Sequence, residues 1–161
     1  MKIKEKIHRL PKEFYKGQLS VAFTLCLKGE TPSAVYPELA HNFIEILTSV
    51  ATKQDCIVPV YCFMPDHQHI ILTGKSITSD LLKVIIKYKQ RTGFWMSANK
   101  PNLKWQKNFY DHMIKRDESL VVQVRYVFDN PVRKNLVTFW QEYPFTDSLG
   151  CSLKNILAGI T

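Results

Sequence analysis

Apolar residues recur along this chain of 161 residues with two periods, and each change of period marks an element. Residues 18–27 (QLSVAFTLCL) alternate and are rich in strand formers, which predicts a strand. Residues 29–37 hold two prolines and read as a loop. Over residues 38–53, Leu39, Phe43, Ile46, Leu47 and Val50 fall at helical spacing, predicting an amphipathic helix. Strand-like runs return at 56–63 and 67–73. Met64, Pro65 and Asp66 between them mark a turn, so the two runs form a candidate hairpin.

A second helix is expected from Asp80 to about Met96, capped by Thr78 or Ser79, with Leu82, Ile85 and Ile86 facing inward. Residues 99–102 form a turn and 105–115 a short irregular or extended piece. A third helix is expected from Asp117 to Asn130 and Pro131. The tail from Asn135, with Tyr-Pro-Phe at 143–145, ends in a strand or a helix. No repeat, low-complexity tract or long linker interrupts this order. One domain over 1–161 is expected, with a basic arm at about 1–16 and a tail at about 138–161. Helices alternating with hairpin-joined strands predict an α+β fold: a ferredoxin-like sandwich, an antiparallel sheet with helices packed on it.

A chain of this length buries roughly 70% of the surface that it exposes unfolded. Its 45% hydrophobic and 22% charged residues suit a globular protein. With 22 Lys+Arg against 14 Asp+Glu, the formal net charge of +8 favours an anionic partner, nucleic acid or a membrane surface. No apolar stretch approaches the ~20 residues of a membrane helix. Cys26, Cys56, Cys62 and Cys151 show no CxxC pairing, so they read as reduced thiols in a cytoplasmic protein.

The chemistry begins with His67 and His69. On a strand, side chains two apart share a face, about 6.5–7 Å apart along the chain, so the imidazoles project together and Gln68 points the other way. Such a pair binds one divalent ion if a third ligand arrives from another element; otherwise it is a half-exposed pair on an edge strand. Two known settings of the motif do not fit. The chain is too short for a (β/α)₈ barrel of typically ~250 residues, and a histidine triad would need His where Ile71 stands. On the third helix, at ~100° per residue, Leu120, Val121, Val124, Val127 and Phe128 form a core stripe. Tyr126 falls opposite that stripe, with Asn130 one turn on.

Two segments carry a family resemblance. YCFMPDHQHIIL (61–72) resembles the block holding the His-hydrophobe-His (HUH) motif of single-tyrosine transposases. RYVFDNPVRKNLV (125–137) resembles their tyrosine helix, in the form found in REP-associated tyrosine transposases. RLPKEFYKGQLSVAFTLC, KWQKNFYDHMIKRDE and EYPFTDSLG keep the same order, so the resemblance runs from about Arg9 to Gly150. It implies that His67 and His69 are metal ligands, that Asn130 completes the site, and that Tyr126 is the nucleophile. The substrate it implies is single-stranded DNA, often beside an imperfect hairpin, and the metal is Mg²⁺ or Mn²⁺. The chain departs from the motif at Gln68, where the family has an apolar residue. A buried, unpaired Gln would cost about 1–3 kcal/mol.

Tyr110 is a rival nucleophile without a matching motif position, and Asp111 and His112 are accessory candidates. Candidate DNA contacts are the stripe Lys83, Lys87 and Arg91, the pair Lys115 and Arg116, Arg125 beside the tyrosine, and the arm residues Lys2, Lys4, Lys6 and Arg9. Trp95, Trp105 and Phe109 are candidate base-stacking groups or core residues. The leading reading is a metal-dependent transposase that nicks single-stranded DNA and transfers strands through a 5′-phosphotyrosine. The alternative is a catalytically silent DNA-hairpin-binding protein on the same fold. A sheet-based RNA-binding domain lacks its aromatic signature. Both monomer and homodimer are compatible with the sequence.

Overall fold

The computed structural model describes residues 10–29 and 36–159. In chain order the elements are β1 (Ser20–Gly29), α1 (Pro37–Lys53), β2 (Cys56–Phe63), β3 (His67–Gly74), α2 (Leu81–Asn99), β4 (Leu103–Trp105), β5 (Tyr110–Ile114), α3 (Leu120–Phe128), α4 (Asn130–Arg133), β6 (Thr146–Leu149) and α5 (Leu153–Leu157). Short 3₁₀ turns lie at Lys12–Tyr15 and Trp140–Glu142.

The strands form one antiparallel sheet in the order β4-β1-β3-β2-β6, with β5 on the same edge of β1 as β4. β5 pairs with Ser20 to Thr24 and β4 with Leu27 to Gly29. The run β1-α1-β2-β3-α2-β5, with β1 and β3 at its centre, is the ferredoxin-like arrangement expected from the sequence. The extended piece after α2 resolves into β4 and β5, and the tail supplies both a strand and a helix.

Period-2 alternation divides the side chains between two cores. Val21, Phe23 and Leu25 of β1 and Ile70 and Leu72 of β3 pack under α1 and α2. Ile71 of β3, with Val60 and Cys62 of β2, packs under Val124, Val127 and Phe128 of α3. Pro59, which has no N–H to give a ladder, sits where the pairing of β2 shifts register on both sides. Phe43 of α1 anchors the first core against Phe63, Tyr88 and Trp95, at centroid distances of 6.3, 6.1 and 5.8 Å.

Several local expectations need correction. Asp80, not Thr78 or Ser79, caps α2: its carboxylate accepts from the Lys83 N–H at 3.0 Å. Ser79 is buried instead, donating to the Asp55 carbonyl and accepting from Lys75 and Ser76 N–H groups. Ile86 faces solvent, because the stripe of α2 turns toward Val84, Ile85 and Tyr88. The third helix starts at Leu120 under a Ser119 cap, three residues later than expected. It ends at Phe128, and Asn130-Pro131 open the separate α4.

Candidate active site

The hairpin between β2 and β3 sets the site. Met64 N–H donates to the His67 carbonyl at 2.8 Å, closing a turn around Pro65 and Asp66. Its register sends Gln68, Ile70 and Leu72 toward α1 and α2, and leaves His67, His69 and Ile71 on the α3 side of the sheet. There the two imidazoles meet, with Nε2 to Nε2 at 3.1 Å and ring centroids 4.7 Å apart.

Each outer ring nitrogen has a partner of its own. His67 Nδ1 lies 2.6 Å from Asp66 Oδ1, and His69 Nδ1 lies 3.0 Å from the hydroxyl of Thr24, its direct cross-strand neighbour. When both Nδ1 atoms donate, both Nε2 lone pairs point into the gap between the rings. Facing lone pairs repel unless a proton or a cation lies between them. His69 is held neutral: burial first, then the charges of His67 and Arg133, lower its pKa to about 4.

Asn130 supplies the third group. It is 5% exposed, and its amide nitrogen lies 3.2 Å from His67 Nε2. An amide turned over presents its oxygen at the same point. Among the described residues no three His, Cys, Asp or Glu side chains gather into a metal cage, so the donor set here is two imidazoles and a carboxamide. That set fits a divalent cation: nitrogens 3.1 Å apart subtend about a right angle at an ion roughly 2.1 Å from each. The histidine–carboxylate contact at Asp66 is of the kind that metal-bound histidines commonly make.

Tyr126 lies on the outer face of α3 and is 61% exposed. Arg133 covers one face of its ring, with the guanidinium carbon 4.1 Å from the centroid, and donates to the Tyr126 carbonyl at 2.7 Å. Tyr126 and Asn130 therefore differ in environment although one turn separates them: α3 breaks at Asp129, and the residue after the break turns inward to His67. Tyr110 sits on the same sheet face as the imidazoles, beyond Thr24 in the cross-strand row Tyr110–Thr24–His69. Gln68 is 2% exposed on the opposite face, where its Oε1 accepts from the Tyr88 hydroxyl at 2.5 Å.

Residues 16–130 match the family described as Transposase IS200 like, a span that includes both histidines, Tyr126 and Asn130. The chain belongs to the IS200-like transposase family. A REP-associated tyrosine transposase of Haemophilus influenzae is 26% identical over 152 residues, covering 84% of this chain and 82% of that protein. The solved structure of a REP-associated tyrosine transposase bound to a REP hairpin superposes with a TM-score of 0.72 at 20% identity, covering 89% of this chain and 82% of that one. The two share the fold.

In this IS200-like transposase the expected basic positions separate. Lys83, Lys87 and Arg91 are exposed and line a groove between α1 and α2 with Lys53, Gln54 and Gln90, on the sheet face opposite the imidazoles. Lys115 and Arg116 are exposed in the turn before α3, and Arg125 is exposed on α3 next to Tyr126. His112 and Gln123 donate to Glu118 at 2.8 and 3.2 Å and tie that turn down. Lys2, Lys4, Lys6 and Arg9 lie outside the described residues. The stacking candidates are packing groups instead: Phe109 is buried against Phe23 at 5.7 Å, and Trp105 lies 6.1 Å from Phe43. No helix among the described residues is long and apolar enough to cross a membrane.

Sequence reading missed three contributors to the site. Asp66 was legible as the carboxylate beside His67 in a proline turn. Thr24 is found only through strand register, and Arg133 only through its fold back onto Tyr126.

Proposed function

We propose that this transposase nicks and rejoins single-stranded DNA beside a hairpin, with Tyr126 as nucleophile and His67, His69 and Asn130 holding Mg²⁺ or Mn²⁺. The observation that carries this reading is the Nε2–Nε2 separation of 3.1 Å, with the Asn130 amide 3.2 Å from one of the two nitrogens. Two imidazoles and a carboxamide suit Mn²⁺ better than Mg²⁺ by ligand preference. When bound, the ion supplies Lewis-acid polarisation of a non-bridging phosphate oxygen.

The protein groups do the rest. The Asp66 carboxylate, an acceptor, holds His67 in the tautomer that presents Nε2, and the Thr24 hydroxyl engages Nδ1 of His69. The Tyr126 oxygen attacks phosphorus, forming the phenol–phosphate bond as the bond from phosphorus to the 3′ oxygen breaks. The phenol gives up its proton, the leaving oxygen gains one, and the products are a 5′-phosphotyrosine and a free 3′-hydroxyl. The phosphodiester bond is conserved as a phosphotyrosine bond. A second 3′-hydroxyl therefore reverses the step and exchanges strands without a nucleotide cofactor. In this reading the three residues that would hold the ion lie together within one chain.

The basic groove lies across the sheet from the imidazoles, so one short single strand does not reach both. It suits the duplex stem of the hairpin, with Lys83, Lys87 and Arg91 on its phosphates, while the unpaired flank passes Lys115, Arg116 and Arg125 on the tyrosine side. The silent-binder alternative drew on Gln68 alone. With Tyr88 as its partner, that residue needs no loss of function to explain it.

The test is incubation with hairpin-bearing single-stranded oligonucleotides and Mn²⁺, followed by denaturing electrophoresis. A denaturation-resistant adduct is expected, lost on chelation and in His67→Ala. Tight hairpin binding with no adduct for any oligonucleotide would contradict the enzymatic reading.

A further inference from the structure

Arg133 was not among the candidates from sequence, yet among the described residues it holds Tyr126 from two sides. Its guanidinium stacks on the ring at 4.1 Å, and an Nη donates to the Tyr126 carbonyl at 2.7 Å. Both partners lie at the surface, so an ordinary arginine here would be free to swing into water. The stacked, bonded pose gives up rotamer freedom in two long side chains at once, and a single backbone bond does not require it.

The location adds to this. Arg133 ends α4, three residues after Asn130, and Asn130 is the group of α4 that reaches His67. One four-residue helix thus bears the carboxamide beside the imidazoles and the guanidinium on the phenol ring. Tyr126 is 61% exposed, and the Arg133 guanidinium lies against one face of its ring.

We propose that Arg133 is a positioning residue that locks Tyr126 in one rotamer for attack, and so couples the phenol to the imidazole end of the sheet through α4. The planar fork is needed for this. Lysine keeps the charge but does not stack as a plane or donate in a fixed direction. Losing such positioning costs on the order of 10²-fold in rate. The catalytic use of the lock rests on the function proposed above; the lock itself does not.

Two measurements on the full chain separate these claims. The first is NMR of the free protein, read through the χ1 couplings of Tyr126 and the side-chain protons of Arg133. One tyrosine rotamer is expected, with arginine signals shifted upfield by the ring. The shift should vanish in Tyr126→Leu, and rotamer averaging should appear in Arg133→Ala. The second is single-turnover adduct formation with hairpin-bearing DNA and Mn²⁺. In Arg133→Ala the rate should fall about 100-fold while hairpin affinity stays within about twofold, and Arg133→Lys should recover only a minor part. Averaged Tyr126 couplings in the wild type would overturn the proposal. So would full recovery in Arg133→Lys, or an affinity loss that accounts for the slower rate. A wild type without adduct but with a locked tyrosine would sink the proposed function and overturn the catalytic use of Arg133, leaving the lock as a structural contact.

Discussion

The Tyr88 hydroxyl donates to Gln68 Oε1 at 2.5 Å across the buried interface between α2 and β3. The bond lies directly behind the two histidines, since Gln68 separates them in sequence and points to the other side of the sheet. It makes the departure from the HUH pattern one half of a matched pair: the polar residue inside the motif meets a tyrosine of the helix above. Each group now depends on the other, because a buried donor or acceptor left alone carries its full desolvation penalty.

Tyr88→Phe and Gln68→Leu should therefore each destabilise the fold by about 1–3 kcal/mol. The double variant should be more stable than the sum of the two losses implies, because it removes both polar groups together. Urea denaturation of the four proteins gives the coupling. Strictly additive losses would mean that the bond carries no stability.

Asp66 holds the Nδ1 side of His67 at 2.6 Å without reaching the gap between the imidazoles. Asp66→Ala should weaken Mn²⁺ binding roughly 10–100-fold in calorimetric titration, the usual effect of removing an outer-shell partner. Unchanged affinity would detach Asp66 from the site.

Asn130 is buried against His67, and its amide serves either as a donor to that ring or as an oxygen ligand to a cation. The substitution Asn130→Asp tells these apart. A carboxylate oxygen should bind Mn²⁺ at least as tightly as the native amide, whereas Asn130→Ala should bind roughly 10-fold more weakly or worse. Equal affinities in all three proteins would leave Asn130 as a hydrogen-bond donor alone.

The hairpin β2–β3 was legible in the sequence because Pro65 and Asp66 sit between two strand-like runs, and the shared face of His67 and His69 follows from period 2 alone. The core stripe of α3 was legible for the same reason: Val124, Val127 and Phe128 are its buried residues. What escaped depends on partners far along the chain or on a break in periodicity. Tyr88 is twenty residues from Gln68. Asn130 reaches His67, 63 residues away in sequence, from the start of the short helix that Pro131 opens. Ser119 prevailed over Asp117 as the start of α3 because its hydroxyl reaches the Val122 N–H. For Trp95 and Trp105 the sequence left stacking on bases and core packing both open, and Phe43 supplies the packing partner.

The groove between α1 and α2 makes a separate prediction. Replacing Lys83, Lys87 and Arg91 by Ala should weaken hairpin binding and flatten its salt dependence, by about 0.9 in the log–log slope for each phosphate no longer neutralised. Mn²⁺ affinity should not change, since the groove lies across the sheet from the imidazoles. An unchanged salt slope would remove the groove from the DNA interface.

The most direct measurement is to digest the covalent protein–DNA adduct and identify by mass spectrometry the residue that carries the 5′-phosphate. The linked peptide should carry the nucleotide on Tyr126, and Tyr126→Phe should yield no adduct while still binding hairpin DNA. A nucleotide found on Tyr110, or an adduct that survives Tyr126→Phe, would contradict the assignment of the nucleophile.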